Sequence, residues 1–269
     1  MKSQLGHLDI PEPIWLKLKQ LLPKDRRIIS NGGRPRLDDR TVLAAIFYRV
    51  KTGVPWRYMP PMFGSKSTLH RRFQEWVEAG IFDKIHKEAL KLYDHSIKIR
   101  TKRMAADGSQ ARAPKGGFFT GPNPTDRGKR GVKRHILVDR LGAPISFVIS
   151  QSGTHDSKLL ASTLDNFRFF RNKKRLKPEI LSLDKAYIGQ AIKNNLKKRR
   201  IRYRIPNKKN TKIPEYIRPL KKFRWVVERT FAWINSFRAA KTCWEFKENN
   251  YMAIFKITFT LILLRMVLK

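Results

Sequence analysis

The chain has 269 residues, of which 59 are Lys or Arg and 21 are Asp or Glu, giving a net charge of +38. Charge at this level indicates a polyanionic partner, of which nucleic acid is the commonest. The single cysteine excludes a disulfide framework and a cysteine-based zinc site. The N-terminus lacks the apolar core of a signal peptide, and charges interrupt the apolar run 251–268, so we expect a buried helix there, no membrane partner and a cytoplasmic, nucleoid-associated protein.

Residues 1–98 are predicted to form an all-α domain. Apolar residues recur at helical spacing over 8–22, from 38 or 39 to 51, from 65 or 67 to 79, and over 83–97, with Gly- and Pro-containing loops between. The third helix is basic, with His70, Arg71 and Arg72. Short helices around a turn suggest a helix-turn-helix-like DNA reader. A small helical bundle with a solvated basic face is the alternative.

The periodicity changes after a linker over 98–103, which indicates a second domain at 99–269. A short apolar strand over 104–107 is predicted to end at Asp107. The long loop 112–133 that follows is rich in Gly, Pro and basic residues, which is typical of a functional or a disordered segment. Four cations in or beside this loop are candidate phosphate contacts, namely Lys129, Arg130, Lys133 and Arg134. A solvated, disordered loop is the alternative.

The remaining pattern predicts β-β-β-α-β-α-β-α for this second domain. A hairpin over 135–149 turns at Gly142, and Asp156 is most simply the N-cap of the next helix, with a metal-site role left open. A buried strand over 180–183 runs into Asp184, either because the carboxylate binds a cation or because it caps the next helix. A helix over 189–198, a strand over 203–205 and a basic loop over 206–222 come next.

A final informative helix is predicted over 223–240, and its 4-3-4-3 spacing places Arg224, Glu228, Phe231, Asn235 and Arg238 on one face. An ion pair of Arg224 with Glu228 is the simple interpretation. The other is a site of three carboxylates, Asp107, Asp184 and Glu228. Such a site could hold two divalent cations for phosphoryl transfer, and its few oxygen ligands suit Mg²⁺.

Ordered motifs along nearly the whole chain are similar to those of DDE-type bacterial insertion-sequence transposases of the insertion sequence five family. The first half carries 33–40 (GRPRLDDR), 47–49 (FYR), 52–57 (TGVPWR), 63–65 (FGS) and 72–73 (RF). The second half carries 107–109 (DGS), 125–129 (TDRGK), 133–135 (KRH), 155–157 (HDS), 184–187 (DKAY) and 224–231 (RWVVERTF).

This resemblance implies a fold class of α/β, with a ribonuclease-H-like catalytic domain of mixed sheet and flanking helices after the helical domain. It implies that Asp107, Asp184 and Glu228 are the catalytic, metal-binding triad. Related transposases carry a Tyr-Arg-Glu-Lys pattern on the glutamate helix. Arg224 and Glu228 fit that pattern, whereas Lys221 and Asn235 depart from it.

The expected function is a transposase that binds the terminal inverted repeats of its element, cleaves DNA and transfers the strand by transesterification. The expected cofactor is a pair of Mg²⁺ ions, with Mn²⁺ able to substitute. The expected partners are double-stranded DNA, both element ends and target, and further copies of the chain. Arg224 and Arg238 complete the predicted DNA contacts. A stand-alone metal-dependent nuclease and a catalytically dead DNA-binding repressor are the alternatives.

Overall fold

The computed structural model describes residues 10–23, 36–206 and 223–268. The helices in these residues are α1 Glu12–Lys19, α2 Asp39–Thr52, α3 Lys66–Glu78, α4 Ile81–Ser96, α5 Asp156–Asn166, α6 Gln190–Lys198, α7 Trp225–Asn235, α8 Arg238–Lys241 and α9 Glu248–Val267. The strands are β1 Met104–Arg112, β2 Gly121–Pro122, β3 Arg130–Val138, β4 Pro144–Gln151, β5 Phe170–Arg171, β6 Lys174–Arg175, β7 Ile180–Ser182 and β8 Arg202–Arg204.

The main sheet has the strand arrangement of a ribonuclease-H-like fold. Its order is β4-β3-β1-β7-β8, with β2 also pairing with β3. The contacts β1–β3 and β3–β4 are antiparallel, while β1–β7 and β7–β8 are parallel. Helices cover both faces: Ser146 of β4 donates a hydrogen bond to a carbonyl of α5, whereas the next residue, Phe147, packs against Phe255 and Phe259 of α9. The predicted mixed sheet with flanking helices is confirmed.

Strand β1 is longer than the sequence pattern indicated. It pairs with β3 from Ala105 to Arg112, so Asp107 lies inside the strand and the prediction that the strand ends there is wrong. The partner strand begins at Arg130, which moves Arg130 and Lys133 out of the predicted loop 112–133. Apolar periodicity missed both extensions because the strand ends carry small and charged residues. Their backbone hydrogen bonds in the sheet hold them in place.

The helical predictions hold for most of the chain, with two corrections. Asp38 caps α2 by accepting a hydrogen bond from the Thr41 amide at 3.0 Å. At α5, His155 is the N-cap in place of the predicted Asp156, which is the first helical residue. The predicted helix 223–240 is broken: α7 ends at Asn235 and the chain bends before α8, so Arg238 does not continue the face of Glu228.

The N-terminal helices share one hydrophobic core with the sheet region. Helix α4 packs along α9, and the ion pair of Asp83 with Lys256 at 2.5 Å joins them. Helix α2 is tied to the segment before α9 by the buried pair Arg49–Glu245 at 2.6 Å. The division at residue 98 therefore remains a prediction.

Helix α9 is long and apolar enough to cross a membrane by length and composition. About two thirds of its most apolar stretch is nevertheless buried inside the fold, where Phe255 and Phe259 pack on the sheet. This burial agrees with the core helix predicted for 251–268.

Candidate active site

Asp107 lies in the middle of β1, on the face that α7 covers. Its Oδ2 accepts a hydrogen bond from Arg224 Nη2 at 3.0 Å, and its Oδ1 accepts one from the Gly108 amide at 2.9 Å. The side chain is 14% exposed. Burial raises the pKa of Asp107; Arg224 opposes this rise, and nearby Asp184 adds to it.

The sheet register places Asp184 beside Asp107. Strand β7 pairs in parallel with β1, with Ala105 opposite Ser182, so the chain reaches Asp184 at the level of Asp107. Asp184 Oδ1 accepts a hydrogen bond from the Ala186 amide at 2.7 Å and so caps a short 3₁₀ turn, Lys185–Tyr187. Its other oxygen lies 3.9 Å from Arg224 Nη1. The carboxylate therefore caps this turn and also faces the site.

Glu228 reaches the same point from the first turn of α7. Its Oε1 lies 3.6 Å from Arg224 Nη2, one helical turn away, and its side chain is 60% exposed. The three predicted carboxylates thus converge on one guanidinium from elements far apart in the sequence. The simple interpretation, an ion pair of Arg224 with Glu228 alone, misses the shorter contact with Asp107.

This cluster binds a cation in its present form, and that cation is Arg224. Three carboxylate groups surround one positive charge, which leaves excess negative charge for a further cation. Within the described residues, no group of three or more His, Cys, Asp or Glu side chains is already arranged as a metal site. The oxygen donors suit a hard divalent ion, and the guanidinium is the cation that they contact at present.

On the opposite face of β1, a buried hydrogen-bond network supports the turn after Asp184. Tyr187 hydroxyl lies 2.6 Å from His135 Nε2, and His135 Nδ1 lies 2.7 Å from Thr163 Oγ1 of α5. Burial lowers the pKa of His135 to about 3, so the ring is neutral near pH 7. His135 and Tyr187 both lie in the sequence motifs. Their contact becomes visible only in the fold, where β1 pairs with β3 on one side and with β7 on the other.

Asp156 presses against the residue that follows Asp107. It forms an ion pair with Lys133 at 3.2 Å, and its carboxylate leaves no room for a side chain at Gly108, where a Cβ would lie 1.8 Å from Asp156 Oδ1. Glycine at this position therefore permits α5 to sit close to β1. The predicted capping role of Asp156 is replaced by this contact.

Of the nine predicted DNA contacts, five are exposed, three are buried, and Arg224 is intermediate with a side chain 36% exposed. The exposed ones are His70, Arg71, Lys129, Arg130 and Arg238. Arg72, Lys133 and Arg134 are buried, which does not fit their predicted contacts with DNA.

Each buried cation already has partners. Arg72 is paired with Asp39, and Lys133 with Asp156. Arg134 donates hydrogen bonds to Ser109, Asn235 and two backbone carbonyls. We therefore withdraw Lys133 and Arg134 as phosphate contacts and Arg72 as a residue that reads DNA. Asn235, at the lysine position of the related pattern, binds Arg134, while Lys221 lies outside the described residues.

Two family models match the chain in succession. Residues 10–86 match the putative transposase of IS4/5 family, and residues 100–263, more than half of the chain, match the transposase DDE domain. The second segment contains Asp107, Asp184 and Glu228.

Curated relatives come from insertion elements. A putative transposase for insertion sequence element IS402 from Burkholderia cepacia is 31% identical over 141 residues, which is 51% of this chain and 65% of the relative. An uncharacterized 16.2 kDa protein of insertion element IS402, also from Burkholderia cepacia, is 33% identical over 118 residues, which is 43% of this chain and 80% of the relative. The chain thus spans somewhat less than two thirds of the length of that putative transposase.

Among solved structures, the Mos1 strand transfer complex gives a TM-score of 0.29 at 12% identity, covering 88% of this chain and 80% of that chain. The Mos1 mariner paired end complex with Mn gives 0.28 at 12% identity, covering 91% and 82%. Scores at this level carry no weight for the fold, which rests on the sheet topology and the family match. On that match, the chain belongs to the transposase DDE domain family.

Proposed function

We propose that this protein is the transposase of an insertion sequence, and that Asp107, Asp184 and Glu228 form its catalytic site. The convergence of these three carboxylates on Arg224 carries the proposal. They come from a strand, a loop after the neighbouring strand and a helix, so that only the folded chain brings them together. The family match and the exposed cations support DNA as the substrate.

The carboxylates would hold two divalent metal ions, for which we propose Mg²⁺, with Mn²⁺ able to substitute. Bound metal supplies activation of the attacking oxygen and stabilisation of the leaving oxygen in phosphoryl transfer. Carboxylate oxygens suit Mg²⁺, which completes its shell with water and substrate phosphate. The residues fit a metal ion because the three carboxylates already surround one cation, the Arg224 guanidinium.

The chain's own residues have distinct proposed tasks. The site needs an ionised carboxylate at Asp107, and Arg224 opposes the pKa rise that burial causes there. Arg224 would also contact a DNA phosphate, because a guanidinium donates to phosphate oxygens as well as to carboxylates. Exposed Lys129, Arg130 and Arg71 would position the duplex through its backbone.

The proposed reaction has two steps at one site. Water attacks the phosphodiester at the element end, which leaves a free 3′-hydroxyl on the element. That hydroxyl then attacks a phosphodiester of target DNA, so one bond forms as another breaks. We further propose that residues 1–98 recognise the terminal inverted repeats, that the protein acts as a homo-oligomer on DNA, and that it is cytoplasmic and nucleoid-associated.

The test uses the gene with its genomic flanks. Labelled DNA carrying an element end is incubated with the purified chain, Mg²⁺ and a target plasmid. Transposition predicts cleavage at the end followed by joining of the labelled 3′ end to the plasmid. Cleavage without joining would indicate a stand-alone nuclease. Specific binding without cleavage would indicate a repressor.

A further inference from the structure

A groove away from the carboxylate cluster carries exposed aromatic rings among basic residues. It lies between the loop that follows β1 and the segment that precedes α9, and it encloses about 560 Å³. Phe118 is 94% exposed on one side and Phe246 is 58% exposed on the other, with ring centroids 6.2 Å apart. Lys115 and Arg130 also line the groove. Exposed aromatic rings of this kind mark binding surfaces more often than isolated apolar residues do.

The loop that carries Phe118 is held in place. Its neighbour Phe119 is buried against Tyr251 of α9, so the two adjacent rings point in opposite directions. Gly117 has φ +129°, and a Cβ there would lie 2.7 Å from the Phe246 carbonyl. Thr120 donates to the Gly117 carbonyl at 2.7 Å and accepts from Arg130 at 3.1 Å. Phe118 is therefore presented to solvent by a fixed loop.

The charge of the groove indicates which partner it fits. No acidic side chain lines it among the described residues, and the nearby carboxylate of Glu245 is buried against Arg49. A second copy of a chain with net charge +38 would be repelled from this surface. A nucleic acid strand offers both phosphates for the cations and base faces for the rings.

We propose that this groove binds unpaired DNA, with a base stacked on Phe118 and its phosphates near Lys115 and Arg130. Bases inside a duplex hide their faces in the stack, so Phe118 can be covered in this way only by an unpaired or displaced base. The volume is within the roughly 300–1,000 Å³ of sites for small ligands, which is room for a nucleotide. This inference rests on the proposed function in one respect, the choice of DNA as the nucleic acid that the groove binds.

The test compares full-length variants by fluorescence anisotropy with labelled oligothymidine and with a labelled random duplex. Phe118→Ala is expected to weaken single-strand binding by roughly fivefold or more, the loss of one stacked base, and to change duplex binding by less than about twofold. Phe118→Trp should restore single-strand binding. The matched control is Phe170→Ala, which removes a 61% exposed ring beside the basic strand β6 and should change neither affinity.

Two results would overturn the proposal. One is oligothymidine affinity unchanged in Phe118→Ala or reduced equally in Phe170→Ala, since the ring would then be merely exposed. The other is a change of sedimentation coefficient in Phe118→Ala without loss of single-strand binding, which would assign the groove to a second copy of the chain. Oligothymidine contains no element end, so failure of cleavage by the protein would leave this measurement unaffected.

Discussion

Arg224 Nη2 donates a hydrogen bond to Asp107 Oδ2 across 3.0 Å, and this contact joins the start of α7 to the middle of β1. The same guanidinium lies 3.9 Å from Asp184 and 3.6 Å from Glu228. One side chain thus holds together the carboxylates that the proposed chemistry needs. It also occupies the position from which a divalent cation would balance their charge.

We expect Arg224→Ala to bind divalent cations more tightly than the parent chain in the absence of DNA. Unit charges 4 Å apart interact by about 4 kcal/mol at an effective dielectric constant of 20. The Arg224 side chain is about one-third exposed, so solvent screening reduces its repulsion of a bound metal ion to a part of this energy. We therefore expect its removal to raise Mn²⁺ affinity by about tenfold. Titration calorimetry measures it, with the exposed Arg238→Ala as control. Weaker Mn²⁺ binding in Arg224→Ala would contradict this expectation, because the guanidinium would then support metal binding more than it competes with it.

Gly108→Ala should destabilise the fold and reduce DNA cleavage together, because the new Cβ must displace the Asp156 carboxylate that lies 1.8 Å from its position. We expect a cost of about 2 kcal/mol in the free energy of unfolding, typical of overpacking at a tight site. The second variant is Asp156→Ala, which removes the colliding oxygen. In that background, Gly108→Ala should cost much less in urea unfolding. Additive effects of the two changes would contradict the steric account.

The exposed cations Lys129 and Arg130 should contribute to the salt dependence of DNA binding, and the buried cations should not. Replacing exposed Lys129 and Arg130 with Ala should flatten the slope of log affinity against log salt by roughly two units on random duplex, since each phosphate contact contributes about 0.9. The control replaces Lys173 and Lys174, exposed around the β5–β6 turn.

Arg134→Ala should leave that salt slope unchanged. It should instead lower stability by about 3 kcal/mol, because the buried Ala240 carbonyl and the part-buried Ser109 and Asn235 side chains lose their donor. The salt slope of DNA binding is measured for Arg134→Ala alongside the double variant that replaces Lys129 and Arg130. A slope change in Arg134→Ala without loss of stability would return Arg134 to the phosphate contacts.

His86 of α4 should make the protein less stable in mild acid. Its Nδ1 is buried without a hydrogen-bond partner among the described residues, and the ring packs against Phe259 of α9. Burial and nearby Lys256 lower its pKa from 6.5 to about 4, so the folded state disfavours the proton. The stabilisation is full above about pH 6.5 and is lost as the pH falls toward 4, by up to about 3 kcal/mol.

His86→Leu should flatten this part of the stability profile. Thermal unfolding of both proteins between pH 7 and pH 4.5 gives the comparison. Parallel profiles would mean that other groups account for the acid sensitivity.

Local pattern was sufficient for most helices and for the short strand that leads to Asp184. Asp38 as a cap, the hairpin through Gly142 and the approach to Asp184 all depend on neighbours in sequence. The features that the local pattern missed depend on contacts between residues far apart in the sequence. Arg134 looks like a loop cation until Asn235, 101 residues later, accepts its hydrogen bond. The break in the glutamate helix at Asn235 was likewise hidden, because the residues on both sides have helical spacing.

The central claim is that Asp107, Asp184 and Glu228 form one cleavage site, and Glu228→Gln tests it most directly. Glu228 is well exposed and on a helix surface, so its amide should leave the fold intact. The measurement is Mg²⁺-dependent cleavage of a labelled element end, beside Asp107→Asn, Asp184→Asn and the control Asp165→Asn, a surface carboxylate paired with Arg199. The account predicts loss of at least about a hundredfold in the rate for each of the three, with DNA binding kept, and parental cleavage for the control. Full cleavage by Glu228→Gln would contradict it.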